Sequence, residues 1–228
     1  MTALIAPPTM RFRFQESCLE RVGEQVTNER SSSDVPQFDV VAIGASAGGI
    51  EALHVVVEAL PVDFPAPVLI VQHMDPRHRS MLAGLLARRC RLRVKQATNG
   101  EPIESGTVYI AQPDAHLLVR DGRLLLTDTK QVHFSRPSID MLFGSVADAY
   151  GDRAISVILS GSGVDGADGT RAVKAKGGTT IAQSPATAAH AGMPQAARAT
   201  GCVDVTLPLE EIGPAVVNLV VPPQRDDA

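Results

Sequence analysis

The sequence predicts an α/β protein: a doubly wound, mostly parallel sheet with helices on both faces and an antiparallel β-hairpin appendage. From Phe38 onward, short apolar runs alternate with stretches of helical periodicity, a pattern typical of strands joined by right-handed helical crossovers. The runs at 40–43, 68–72 and 154–159 are strongly apolar, as expected for strands buried on both faces. Asp121-Gly122 lies between two further apolar runs and favours a tight hairpin turn.

Local patterns place the individual elements along the chain. Residues 50–60 carry apolar side chains at helical spacing, and Pro137 lies near the start of a helix at 138–150. The arms of the hairpin are expected at 116–120 and 123–127. The other predicted strands are 40–44, 68–72, 93–97, 107–111, 154–159, 178–182 and 203–207, and the other predicted helices are 80–89, 170–176 and 194–200.

Length and composition indicate one folded domain. The chain has 228 residues, of which 44% are hydrophobic and 20% charged, enough for one α/β domain with a sizeable core. We expect an N-terminal arm and linker at 1–37, the folded domain at 38–222 and a C-terminal tail at 223–228.

Charge, cysteine content and hydropathy exclude several classes of function and location. A net charge of −4 gives no support for nucleic acid or a membrane surface as a partner. The three cysteines are scattered and lack metal-site spacing, which suggests a reducing compartment without disulfides. The chain has no apolar run long enough to span a bilayer and no signal peptide, so a cytoplasmic location without membrane insertion is expected.

The turn after the first strand is the first candidate for chemistry. Gly44, Ser46 and Gly48 form a G-x-S-x-G pattern between a strand and a helix, as in a nucleophile elbow. The alternative interpretation is a phosphate-binding loop of the dinucleotide type. The G-x-G-x-x-G spacing is absent, however, and the next strand ends in His73 instead of a ribose-binding acid.

Three strands bring polar side chains to one edge of the predicted sheet. Ser46 follows the first strand, His73 ends the second, and Asp165 lies in a glycine-rich loop after the strand at 154–159. A hydroxyl, an imidazole and a carboxylate are the components of an acyl-transfer triad. His73 would accept the proton of Ser46, and Asp165 would orient the imidazole. Backbone N–H groups at Ala47 and in the loop at 162–163 are candidate oxyanion donors.

The remaining histidines leave one alternative base. Ser46, Asp165 and His190 occur in the chain order of α/β-hydrolase triads, and His190 lies in a loop after a strand. His116 and His133 flank the hairpin and are expected at the surface or on the substrate side.

Seven short motifs occur in a characteristic order along the chain: Ile43-Gly-Ala-Ser-Ala-Gly-Gly49, Val71-Gln-His-Met74, Gly106-Thr-Val-Tyr-Ile-Ala111, Arg136-Pro-Ser-Ile-Asp140, Leu159-Ser-Gly-Ser-Gly-Val-Asp-Gly-Ala167, Ile181-Ala-Gln183 and Gly192-Met-Pro194. In this order they resemble the catalytic domain of chemotaxis protein-glutamate methylesterases of the CheB type, over nearly all of residues 39–214. The resemblance implies a serine hydrolase that removes methyl esters from glutamyl side chains of chemoreceptors, often with deamidation of receptor glutamines.

The same resemblance implies site residues and partners. The family's nucleophile, base and acid fall on Ser46, His73 and Asp165, which favours His73 over His190. Beside the triad, Ala47, Ser162 and Gly163 are candidate oxyanion and substrate-binding residues. No cofactor or metal is implied, and the expected partners are the cytoplasmic helices of methylated chemoreceptors and a partner methyltransferase.

Departures from the family pattern keep two alternatives open. The family loop usually reads Thr-Gly-Met-Gly before the acid, whereas Ser162 replaces the methionine in this chain. The arm at 1–37 is too short for the phosphoryl-receiver domain that family members usually carry. The alternatives are a catalytically weak adaptor of a chemotaxis-like pathway and a small-molecule esterase on the same fold.

Overall fold

The structure is a computed structural model that describes residues 38–74 and 80–221. The predicted arm at 1–37 and the predicted tail at 223–228 lie outside the described residues. The domain boundaries proposed from the sequence therefore stay predictions.

The described strands form one seven-stranded parallel sheet and one separate hairpin. The larger sheet has the order β3-β4-β2-β1-β7-β8-β9, and β5 pairs with β6 in an antiparallel hairpin. The bounds are β1 Val40–Ala45, β2 Val68–Gln72, β3 Arg93–Gln96, β4 Thr107–Ile110, β5 His116–Arg120, β6 Arg123–Thr127, β7 Ala154–Ile158, β8 Thr179–Gln183 and β9 Val205–Leu207.

Helices cover both faces of the parallel sheet. Side chains of β1 alternate between the two faces, with Val41 and Ile43 in one apolar core and Val40 and Ala42 in the other. Helices α1, α2 and α6 contribute to the first core, and α3, α4 and α5 to the second. Their bounds are α1 Gly49–Glu58, α2 Leu82–Leu86, α3 Ile139–Tyr150, α4 Ala167–Ala175, α5 Gly192–Ala199 and α6 Leu209–Val220.

This architecture confirms the predicted fold class, and three elements differ in detail. The hairpin is a sheet of its own that packs against α3, where the Ser145 hydroxyl accepts the N–H of Val119 at 3.0 Å. Helix α2, at Leu82–Leu86, is shorter than the predicted 80–89. The N–H of Leu82, its first residue, donates to the Ser80 hydroxyl at 3.2 Å. Helix α4 begins at Ala167, three residues before the predicted start.

Helix α6 was missed by the sequence analysis. Pro214 lies inside it and resembles a helix breaker, since proline removes one backbone donor. The buried residues Ile212, Val216 and Val220 recur every four positions and pack into the same core as α1. Burial of this apolar stripe outweighs the lost hydrogen bond.

Sheet register places the ends of three central strands side by side. Ala45 of β1 lies opposite Gln72 of β2, and Gly44 lies opposite Ile158 of β7. The chain therefore leaves these strands at neighbouring points of the carboxyl edge, where open α/β sheets place their sites.

Two helical glycines should respond in opposite ways to substitution by alanine: Gly213, at the contact between α1 and α6, and Gly144, in α3. A Cβ at Gly213 would lie 2.5 Å from the Ala59 Cβ, so Gly213→Ala should destabilise the fold by about 1 to 3 kcal/mol. Gly144, inside α3, has open space around its missing Cβ, so Gly144→Ala should stabilise by roughly 0.5 to 1 kcal/mol. Urea unfolding of both variants measures the two effects, and equal shifts would contradict the packing at α1 and α6.

Candidate active site

The strand-to-helix turn after β1 presents Ser46. The N–H of Ser46 donates to the Ser160 carbonyl at 2.9 Å, and the Ser46 carbonyl accepts the N–H of Gly49 at 2.8 Å. Gly48 has φ +70°, a left-handed conformation that glycine adopts without strain. The turn thus places a half-buried Ser46 directly before the N-terminus of α1.

The loop after β7 packs closely against this serine. A Cβ at Gly161 would lie 2.8 Å from the Ser46 Cβ and 2.2 Å from the Met193 sulfur, so only glycine fits. The loop that carries Asp165 is therefore in contact with the serine turn.

His73 and Asp165 are hydrogen bonded to each other. Their Nε2 and Oδ2 atoms are 2.8 Å apart, and the side chains are 17% and 4% exposed. Asp165 is thus a buried carboxylate that contacts the imidazole at the end of β2. The two residues lie 92 positions apart in the sequence.

Three donors at the N-terminus of α3 also bind the Asp165 carboxylate. The Ser138 hydroxyl donates to Oδ1 at 2.9 Å, and the N–H groups of Ile139 and Asp140 donate at 2.8 and 3.0 Å. Burial alone would raise the pKa of Asp165, but the hydrogen bonds from His73, Asp140 and Ile139 outweigh it and lower the pKa to about 2. Asp165 therefore stays an anion at neutral pH.

The ionised acid determines which nitrogen of His73 can act as base. A carboxylate only accepts hydrogen bonds, so we assign the proton of the neutral ring to Nε2 and leave Nδ1 free to accept. The main-chain N–H of His73 donates to the Ala45 carbonyl at 3.0 Å, so His73 lies beside the residue that precedes Ser46. Within the described residues the Ser46 hydroxyl is not hydrogen bonded to the His73 ring, and such bonds often tighten only with substrate.

Candidate oxyanion donors flank the serine. Ala47 is half-buried next to the N-terminus of α1, whereas Ser162 and Gly163 are exposed in the loop after β7. The N–H groups of Ala47 and Gly163 donate to no protein acceptor in the part of the chain described above. Both are therefore free to bind a developing negative charge.

His190, the alternative base, contacts the loop after β7 through its main chain. Its N–H donates to the Ser160 hydroxyl at 2.9 Å, and its carbonyl accepts the N–H of Gly161 at 2.9 Å. The His190 side chain is exposed, while the carboxylate of Asp165 binds His73. The geometry therefore pairs the acid with His73.

The expectation that His116 lies at the surface is wrong. Its side chain is fully buried, and Nδ1 accepts the N–H of Ser138 at 3.1 Å. Nε2 lies 3.1 Å from the Lys130 carbonyl, which identifies the Nε2-protonated tautomer. His116 thus supports the turn in which Ser138 binds Asp165.

Asp140 is a structural part of the site that the sequence analysis did not identify. Its Oδ1 accepts the N–H groups of Gly166 and Gly169 at 2.9 and 2.7 Å, so it caps α4 next to Asp165. Burial raises the pKa of Asp140 to about 6; the Gly169 N–H opposes this rise, and the charges of Asp165 and Asp168 add to it. An aspartate in the first turn of an apolar helix, with glycines near the start of the next helix, is the weak signal that the sequence contains.

A cluster of potential metal ligands and one small cavity lie near these residues, and a larger cavity lies elsewhere. Donor atoms of His133, Asp140 and Asp168 lie within 4.8 Å of one another, but Arg171 already pairs with Asp168. A cavity of about 80 Å³ next to the acid–base pair is lined by His73, Met74, Gln131, Phe134, Ser135, Arg136 and Pro137. A larger cavity, of about 280 Å³, lies between the hairpin and α3 and includes none of Ser46, His73 and Asp165.

Comparisons with known proteins give matches over most of the folded domain. The family model described as CheB methylesterase matches residues 41–216. A crystal structure of the Thermotoga maritima CheB methylesterase catalytic domain superposes with a TM-score of 0.77 at 37% identity, covering 80% of this chain and 99% of that one.

Curated relatives carry enzyme names. A protein-glutamate methylesterase/protein-glutamine glutaminase 2 of Anaeromyxobacter dehalogenans is 46% identical over 183 residues, 80% of this chain and 54% of the relative. A putative protein of the same designation from Leptospira interrogans is 39% identical over 183 residues, and this chain covers 95% of it. The chain thus spans about half of the first relative and nearly all of the second. No described helix is both long and apolar enough to cross a bilayer.

The buried Asp140 carboxylate predicts a pH-dependent stability difference. Asp140→Asn keeps an Oδ1 acceptor for Gly166 and Gly169 and removes the charge. Because the folded-state pKa is raised, ionisation of Asp140 costs folding free energy as the pH rises from about 4 through about 6. The variant should therefore gain on the order of 2 to 3 kcal/mol relative to wild type between pH 4 and pH 7.

Urea unfolding at a series of pH values measures this difference. Asp165 does not contribute to this pH dependence. Because its pKa is lowered, its contribution to the free energy of unfolding is nearly complete above about pH 4. His133 faces Asp140 at 3.4 Å, so the series is repeated in a His133→Ala background. A stability difference that stays constant across this pH range would contradict the account of Asp140.

Proposed function

Since this chain belongs to the CheB methylesterase family, we propose that it hydrolyses methyl esters of glutamyl side chains in chemoreceptors, with Ser46, His73 and Asp165 as its triad. The names of the relatives support deamidation of receptor glutamines as a second reaction of the same site. Both reactions transfer an acyl group from a side-chain ester or amide to water through a serine.

The observation that carries this proposal is the hydrogen bond between His73 Nε2 and Asp165 Oδ2. A buried carboxylate that binds an imidazole can hold the ring in a fixed tautomer and stabilise its cation. The imidazole it holds lies at the strand end next to the serine turn. Neither the adaptor nor a phosphate-binding loop requires that pair.

The proposed reaction has two half-steps that balance with these residues and water. Ser46 Oγ attacks the ester carbonyl while His73 Nδ1 takes the hydroxyl proton. The C–O bond to the methoxy group then breaks, and the same proton leaves on methanol. Water, deprotonated by His73, attacks the acyl-serine and regenerates Ser46 with release of the glutamyl carboxylate.

Charge that develops on the carbonyl oxygen has candidate donors close by. The N–H groups of Ala47 and Gly163 have no acceptor among residues 38–74 and 80–221, and α1 begins two residues after Ala47 with its positive dipole end toward the turn. A donor of this kind typically contributes on the order of 10² to 10³ in kcat. Ser162 is exposed next to Gly163 in the loop after β7, and we assign it to the substrate entrance.

The proposed substrate is a receptor segment in the cytoplasm. Methylated glutamates would be presented by the cytoplasmic helices of chemoreceptors, and a partner methyltransferase would supply the esters. The chemistry proposed here uses the triad and water, so it calls for no cofactor or metal.

Methanol release from methylated receptor tests the assignment of the triad. Ser46→Ala and His73→Ala should each lower kcat by at least about 10³-fold, because the first change removes the nucleophile and the second removes the proton transfer to the leaving group. His190→Ala should stay within about threefold of wild type, since its side chain is exposed and its main-chain bonds remain.

Circular dichroism of each variant serves as the folding control. A large loss with His190→Ala and little loss with His73→Ala would transfer the role of base to His190. Absence of methanol release from folded wild-type protein would favour the adaptor function instead.

A further inference from the structure

The carboxamide of Gln72 connects the serine turn with the strand end that carries the base. Gln72 is the last residue of β2 and is 4% exposed. Its Nε2 donates to the Ser46 carbonyl at 2.8 Å and to the His73 carbonyl at 2.9 Å. Both partners can only accept, so the amide orientation follows from the contacts. One NH₂ group thus bridges two predicted catalytic residues that lie 27 positions apart, the difference between 73 and 46.

On the serine side, this contact fixes the orientation of a peptide group. The Ser46 carbonyl also accepts the N–H of Gly49 at 2.8 Å, so two donors hold one oxygen. In a trans peptide the N–H points opposite to the C=O. The Ala47 N–H therefore points away from Gln72, and the carboxamide sets the direction of a candidate oxyanion donor.

On the histidine side, the same group holds the main chain at the strand end. The His73 N–H donates to Ala45 at 3.0 Å, and its carbonyl accepts from Gln72. With both main-chain groups bound, the Cα position of His73 is fixed relative to β1. The ring orientation is then determined by Asp165 alone among the contacts described above.

The carboxamide oxygen of Gln72 accepts no hydrogen bond from the described residues. This oxygen, Oε1, is buried, an arrangement that typically costs about 1 to 3 kcal/mol. A Cβ at Gly49 would lie 2.4 Å from this oxygen, so glycine there makes room for it. Stability alone does not account for a buried amide that satisfies only its donor half.

We propose that Gln72 is a positioning residue that holds the serine turn and the His73 main chain in register for proton transfer. This inference rests on the proposed function, since it assigns Gln72 a task within the same triad. Gln72 contacts no substrate atom in this assignment and acts only on proton transfer between Ser46 and His73.

Gln72→Met tests the proposal, because methionine has a similar length and lacks both donors. We expect kcat for methanol release to fall on the order of 10²-fold, as for a small misplacement of reacting groups, with KM changed by less than about threefold. Gln112→Met is the matched control, since Gln112 also donates to a carbonyl, that of Ala97 at 2.7 Å, outside the triad. That variant should keep the wild-type kcat.

A double-mutant cycle separates positioning from general loss of structure. If Gln72 acts through His73, then Gln72→Met should lower the residual rate of His73→Ala by less than about threefold, far below its effect in wild type. A loss of structure would multiply with His73→Ala. Urea unfolding of each variant shows that folded protein is being compared, and Gln72→Glu, whose carboxylate cannot donate to either carbonyl, replaces Gln72→Met if that variant does not fold.

The outcomes are distinguishable. A folded Gln72→Met with wild-type kcat, or two losses that multiply, would overturn the positioning role and leave the proposed function intact. If wild type releases no methanol, the proposed function fails and the inference about Gln72 fails with it. A selective fall of kcat that disappears in the His73→Ala background establishes the role.

Discussion

The site depends on one buried negative charge, the carboxylate of Asp165. A carboxylate that is 4% exposed is stable only if donors replace the water it has lost. Ser138, the N–H groups of Ile139 and Asp140, and the ring of His73 provide them. Because these donors come from α3 and from the end of β2, the charge ties both elements to the loop after β7.

Two neighbouring aspartates show how the surroundings separate their roles. Asp165 has a pKa lowered to about 2 because four donors converge on it despite its burial. Asp140 has a pKa raised to about 6, since burial is offset by fewer donors and the charge of Asp165 repels its own. One acid can therefore stay charged beside His73, while the other stabilises the start of α4 through Oδ1.

The sequence predicted the features that depend on local pattern. Apolar runs and glycines were enough for the parallel sheet and the turn around Ser46, and they predicted that His73 and Asp165 lie at one sheet edge. Contacts that form only in three dimensions were out of reach. In the sequence analysis, Gln72 is placed at the end of a strand and Asp140 is assigned no role. The Ser46 partner of Gln72 and the Gly166 and Gly169 partners of the Asp140 carboxylate lie 26 or more residues away in sequence. Helix α6 was missed because Pro214 concealed its apolar stripe.

The most direct test of the account is the protonation state of the His73 ring, measured by ¹⁵N NMR on imidazole-labelled protein at a pH where the ring is neutral. The account predicts a protonated Nε2 with a strongly downfield proton that is lost in Asp165→Asn, and an unprotonated Nδ1 available to Ser46. A proton on Nδ1, or a spectrum unchanged by Asp165→Asn, would contradict it.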